Sequence, residues 1–163
     1  MLKKISIAIS AAIISAPAFA LSPTSTPDIE IFMSGASAQD KSIAALFGDI
    51  CVAGTLDVFK DSGAKPGKAH SAYFCTVDSG QVNGGTPGFT NPDVLLHKRS
   101  AGGSAQGVNP VIDESPIDAM MIDNGNCTET AAGSQSWLCS ITNSGDTAPV
   151  VSDACVSDVN TEM

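Results

Sequence analysis

The chain has 163 residues, 43% of them hydrophobic and only 15% charged, which suits one domain with a real core and argues against a disordered chain. Eight Lys+Arg against 17 Asp+Glu give a formal net charge of -9. A field of that sign repels phosphate backbones and anionic lipid at long range, so nucleic-acid binding and peripheral membrane attachment are not expected. With 15 Gly and 9 Pro, many turns and short elements are predicted.

Residues 1–20, MLKKISIAISAAIISAPAFA, carry Lys3 and Lys4, then an apolar run from Ile5 to Ile14, then Pro17 and the small-x-small pattern Ala18-Phe19-Ala20. This is the pattern of an export signal cleaved after Ala20. The apolar run is shorter than the ~20 residues of a spanning helix, so a periplasmic or secreted chain without a membrane span is expected after cleavage. Loss of Lys3 and Lys4 takes the net charge from -9 to -11.

All five cysteines, Cys51, Cys75, Cys127, Cys139 and Cys155, follow that signal, and in an exported chain disulfides are the default. No C-x-x-C occurs, and His70 and His97 are not spaced as partners of any cysteine pair, so neither a metal site nor a cofactor is expected. Nearest-neighbour pairing gives Cys51 with Cys75 and Cys127 with Cys139, each closing a loop short enough to contribute roughly 2–4 kcal/mol. Cys155 is left as a free buried thiol, an intermolecular bridge, or the partner of a cysteine outside this sequence.

Residues 21–28 (LSPTSTPD) form a Ser/Thr/Pro leader, expected to be mobile. Residues 29–33 read as a strand, residues 34–38 as a turn of small residues, and Ile43, Leu46, Phe47 and Ile50 recur with the period of a helix over about 38–50. Asp40 falls in that helix's first turn, where the dipole favours it. Two β-rich runs follow, 55–59 and 70–77, around a Lys/Gly/Pro loop. After an irregular stretch over 82–91 the first pattern returns: strand 94–99, small-residue turn 100–104, and a short helix before Pro110. Residues 111–147 are acidic and weakly periodic, with Trp137 in the loop between Cys127 and Cys139, and Val150-Val151 reads as a last short strand. The fold class expected is α/β, a mixed and largely parallel sheet built from strand-turn-helix units with a disulfide-stapled insertion.

A Gly/Ala/Ser turn between a strand and a helix leaves backbone N–H groups pointing outward with the helix dipole behind them, a suitable seat for a small oxyanion. Two such turns on neighbouring parallel strands meet where open α/β sheets bind ligands. The segments Gly35-Ala36-Ser37-Ala38, Ser100-Ala101-Gly102-Gly103 and Val156-Ser157-Asp158 resemble, in order, three segments from the first lobe of the phosphate-binding proteins of ABC transporters. That family has the type II periplasmic-binding-protein fold of two α/β lobes around a cleft. The resemblance implies that residues 29–163 form such a lobe, incomplete relative to the family, with a phosphate-like oxyanion as ligand and an ABC transporter permease as partner. It implies anion contacts from the Ser37 hydroxyl, the Ala38 amide, Ser100 and Gly103. Ala101 stands where the family has a ligating Ser, and Ser104 is placed to compensate. Asp158 matches a carboxylate that accepts a hydrogen bond from a protonated phosphate oxygen.

A hydrolase is the weaker expectation: Gly102-Gly103-Ser104-Ala105-Gln106 lacks the last glycine of a nucleophile elbow, and neither histidine has an evident acid partner in sequence. The chain is therefore read as a non-enzyme. Asp123-Asn124-Gly125-Asn126 lacks the spacing of a calcium loop. The alternative function is an extracellular structural or adhesive protein that reuses the lobe without a ligand.

Overall fold

The computed structural model describes residues 23–82 and 90–158. The export signal over 1–20, the first two residues of the leader, most of the stretch 82–91 and residues 159–163 lie outside the described residues. The elements run β1 (Ile29–Gly35), a 3-10 turn (Ser37–Gln39), α1 (Asp40–Ile50), β2 (Asp57–Asp61), β3 (His70–Thr76), β4 (Asp93–Arg99), α2 (Ala105–Ile112), β5 (Ile117–Met120), β6 (Cys127–Glu129), β7 (Ser136–Cys139), β8 (Thr147–Val150) and β9 (Ala154–Val156).

The fold is α/β. A seven-stranded mixed sheet has the order β6-β7-β2-β3-β4-β1-β9, and β5 pairs with β8 in a separate antiparallel ribbon. Within the large sheet β4-β1, β1-β9 and β2-β7 are parallel, while β2-β3, β3-β4 and β6-β7 are antiparallel. Half the pairings are thus antiparallel, where the sequence pattern predicts a largely parallel sheet. Among the described residues no helix lies between β2 and β3 or between β3 and β4, and strands joined without a crossover helix return antiparallel.

β3 and β4 are buried on both faces, so their apolar residues are consecutive, over 72–75 and 94–96, rather than alternating. On one face α1 lays Ile43 and Phe47 over Tyr73, Cys75, Val94 and Leu96, with the Phe47 and Tyr73 rings stacked at 5.3 Å. On the other, Phe59, Ala72, Phe74 and Leu95 pack with Met120, Cys127 and Cys139. Removing a side chain such as Phe74 or Leu96 from water stabilises the fold by about 1.5–3 kcal/mol. The two disulfides are Cys51–Cys75 and Cys127–Cys139. The first ties the end of α1 to the buried β3, and the second joins residues directly opposite each other on β6 and β7.

Several elements differ from the sequence reading. The stretch over 111–147 holds β5, β6, β7 and the start of β8, too short for a period to register. The last strand expected at Val150-Val151 is instead β8, which ends at Val150, and β9 follows it. α2 continues through Pro110, because the only carbonyl that loses its partner belongs to the exposed Gln106 and Asp113 N–H still reaches Asn109 O at 2.8 Å. Within the leader, Asp28 is pinned: its N–H donates to Asp93 O at 2.8 Å, and its carboxylate accepts from Asp93 N–H at 2.9 Å. Cys155 is free and exposed on β9, not buried.

Candidate functional site

Three strands end side by side. β1 is parallel to β4 with Ser34 opposite Arg99, and parallel to β9 with Gly35 opposite Val156. The segments that follow these strands, 34–38, 100–104 and 157–158, therefore emerge at the same edge of the sheet, at its carboxyl end.

The first turn depends on glycine. Gly35 has φ +131°, and a Cβ there would overlap the carbonyl oxygen of Val156. That close approach lets Ala36 N–H donate to Val156 O at 3.1 Å and locks β9 onto the turn. Gly107 of α2 packs against the same place, where a Cβ would run into Gly35 and Val156, and its carbonyl accepts from the buried Ser34 hydroxyl at 2.9 Å. The chain then leaves through Ser37 and Ala38, both exposed, into the 3-10 turn and α1. No side chain caps either helical start, so the first amides face outward with the positive end of α1 behind them.

The second turn divides into an inner and an outer part. Ser100 is 5% exposed; its hydroxyl donates to Asp40 Oδ1 at 2.7 Å and accepts from Lys98 Nζ at 3.1 Å, while its N–H donates to Ala69 O. Its side chain is occupied inside the protein and does not reach the surface as a ligand contact. Gly102 and Gly103, with φ +89° and +68°, carry the chain outward to Ser104 at the head of α2. Ser104 meets the third segment directly. Its hydroxyl donates to Asp158 Oδ1, and Asp158 N–H donates back to Ser104 Oγ at 3.1 Å.

Beneath the turns lies Lys98, 1% exposed. Its ammonium donates to Gly35 O at 3.0 Å, Arg99 O at 3.3 Å and Ser100 Oγ, and stands 3.5 Å from Asp40 Oδ1. Burial pulls its pKa below the usual lysine range, and Asp40 acts in the opposite sense. One cation thus binds the first turn, the second turn and the first residue of α1 together. The sequence carried a signal for it: a lysine inside the apolar run Val94–Lys98, immediately ahead of the Ser/Gly turn.

Of the residues expected at the site, Ser37, Ala38, Gly103, Ser104 and Asp158 gather at one sheet edge, and Ser100 sits below it. Outward amides, the Ser37 hydroxyl and the Asp158 carboxylate, which keeps acceptor capacity beside its bond from Ser104, suit a small oxyanion that still carries a proton. Because Ser37, Ala38, Gly103 and Asp158 are exposed, each hydrogen bond competes with water and is worth about 0.5–1.5 kcal/mol.

His97 lies elsewhere, on the opposite face of β4, with an acid partner absent from the sequence reading. Its Nε2 is 2.9 Å from Glu30 Oε1, its Nδ1 is 3.1 Å from Met120 O, and its ring stacks on Phe32 at 4.6 Å. Burial lowers its pKa, against the pull of Glu30. The parallel register that sets Glu30 beside Leu95 and Phe32 beside His97 creates this pair, and no local pattern announces it.

No family model, curated protein or solved structure matches the chain.

Proposed function

We propose that the chain is an exported solute-binding protein, or part of one, whose periplasmic-binding-protein-like lobe recognises a small oxyanion such as phosphate. The carrying observation is the convergence of the Ser37-Ala38 amides, the Gly103-Ser104 turn and Asp158 at the ends of three adjacent parallel strands. The resemblance to phosphate-binding proteins of ABC transporters rests on these same three segments, and an ABC transporter permease is the partner it implies. The two disulfides accord with an oxidising compartment. Calorimetric titration of the oxidised chain with phosphate, sulfate and a short sugar panel tests the reading. Phosphate binding in the millimolar range or tighter, with sulfate weaker, supports it; equal binding of both anions, or of neither, defeats it.

A second reading, an extracellular structural or adhesive protein, draws on a different observation. An open apolar groove of about 480 Å³ runs beside α1, between Leu46 and the Ile31, Met33 and Ala154 side chains, next to the exposed Cys155 on the edge strand of the described sheet. Assembly through that edge, with no anion bound, is the outcome that favours this reading over the first.

A further inference from the structure

Arg99 ends β4 on the face opposite Lys98, beside α2 and β5. Its Nε is buried and has no hydrogen-bond partner, and the ion pairs among the described residues are His97–Glu30 and Lys98–Asp40. A guanidinium presents a planar fork of donors, and leaving one buried and unpaired is costly. The side chain borders a polar cavity of about 230 Å³, whose other walls include Gln106 and Asn109 of α2, Asp113, and Asp118 of β5.

The charges on this cavity select its ligand. One arginine against two aspartates leaves a net charge of -1, so a simple oxyanion gains one partner and meets two repulsive ones. A simple cation leaves the guanidinium unsatisfied. A molecule that carries a carboxylate at one end and an ammonium at the other satisfies both sides while remaining neutral overall. The volume lies below the ~300–1,000 Å³ of pockets for drug-sized ligands, which restricts the occupant to a few heavy atoms.

We propose that this cavity is a binding site for a small zwitterion of the α-amino acid class. The ligand's carboxylate pairs with the Arg99 fork, a geometry that carboxylates match with two parallel hydrogen bonds. Its ammonium faces Asp113 and Asp118, and the Gln106 and Asn109 amides supply hydrogen bonds between the two poles. The site shares no residue with the oxyanion turns, so either can fail without the other.

The test is calorimetric titration of the full oxidised chain with glycine, alanine, serine and glutamate, using acetate and methylamine as half-ligands and inorganic phosphate as a control. At least one amino acid is expected to bind with one-to-one stoichiometry, about tenfold or more tighter than acetate or methylamine. Arg99→Gln should weaken it by about tenfold or more, with Arg99→Lys recovering part of the loss. Asp118→Asn should weaken the amino acid but not acetate. Should Arg99→Gln fail to fold, Arg99→Lys and Asp118→Asn carry the same comparison. The proposal is overturned if no amino acid binds at about 10 mM, if affinity is unmoved in these variants, or if acetate alone binds as tightly as the amino acid.

Discussion

The ammonium of Lys98 stands 3.5 Å from Asp40 Oδ1, which joins the end of β4 to the first residue of α1 across 58 positions of sequence. Lys98 is almost wholly enclosed, while the Asp40 side chain is 22% exposed, so only one of the two charges is fully desolvated. Lys98→Met takes the donor from the Gly35 carbonyl and leaves the Asp40 carboxylate with the Ser100 hydroxyl but without its counter-charge, and should cost about 2–4 kcal/mol. That is somewhat below the ~3–5 kcal/mol of a fully buried pair. The double variant with Asp40→Asn should lose less than the two single losses combined. Urea denaturation of the four proteins measures this, and additive losses would show that the pair does not act as a unit.

Asp158 is the selectivity element of the oxyanion reading. An ionised carboxylate only accepts, so it rewards an anion that still carries a proton and repels one that does not. Asp158→Asn should therefore narrow the preference for phosphate over sulfate without abolishing binding. Titration of the variant with both anions checks it; an unchanged ratio would remove Asp158 from the site.

Gly35→Ala is expected to destabilise by about 2–3 kcal/mol or more, since the new Cβ meets the Val156 carbonyl in a backbone conformation that L side chains rarely adopt. Because the clash displaces β9, anion binding should fall along with the denaturation midpoint. A variant of wild-type stability would mean that β9 does not press on the first turn.

The pH response follows from burial. His70 is held below its usual pKa by desolvation and by Arg99, and His97 is held low by desolvation. The folded protein thus binds fewer protons than the unfolded chain near and below the ordinary histidine pKa of 6.5, so stability present above that pH is lost as pH falls through it. Asp146 is held low by hydrogen bonds from Ser140, Asn143 and Thr142, which extends the loss to lower pH. Urea midpoints should be flat between about pH 7 and 8 and decline below about 6.5. His70→Gln should flatten part of that decline, and a midpoint that rises on acidification would contradict the assignment.

The sequence displayed the parts of the fold that depend on local pattern. The i, i+3, i+4, i+7 spacing of Ile43, Leu46, Phe47 and Ile50 located α1, the apolar run from Val94 located β4, and loop length located both disulfides. The small-residue turns marked where the candidate site would form. What remained hidden depends on strand pairing. The burial of Ser100 and Lys98 follows from the order β3-β4-β1, and Glu30 reaches His97 only through the register of β1 on β4. The four-residue and three-residue strands from β5 onward hold their conformation through partners distant in sequence, so a window along the chain contains too little of the pattern.

Cys155 offers a simple check on β9. It is exposed and unpaired while the other four cysteines are bridged, so one thiol per chain should react with an aromatic disulfide reagent in the native protein without denaturant. A thiol that reacts only after unfolding would place the residue inside.

The central claim is that the three segments at the ends of β4, β1 and β9 form one anion site. Titration of the isotope-labelled chain with phosphate, followed through backbone amide resonances, tests it most directly. The account predicts that the amides of Ser37, Ala38, Gly103, Ser104 and Asp158 shift together along one saturable curve. Shifts confined to residues away from this edge, or none at millimolar phosphate, would contradict it.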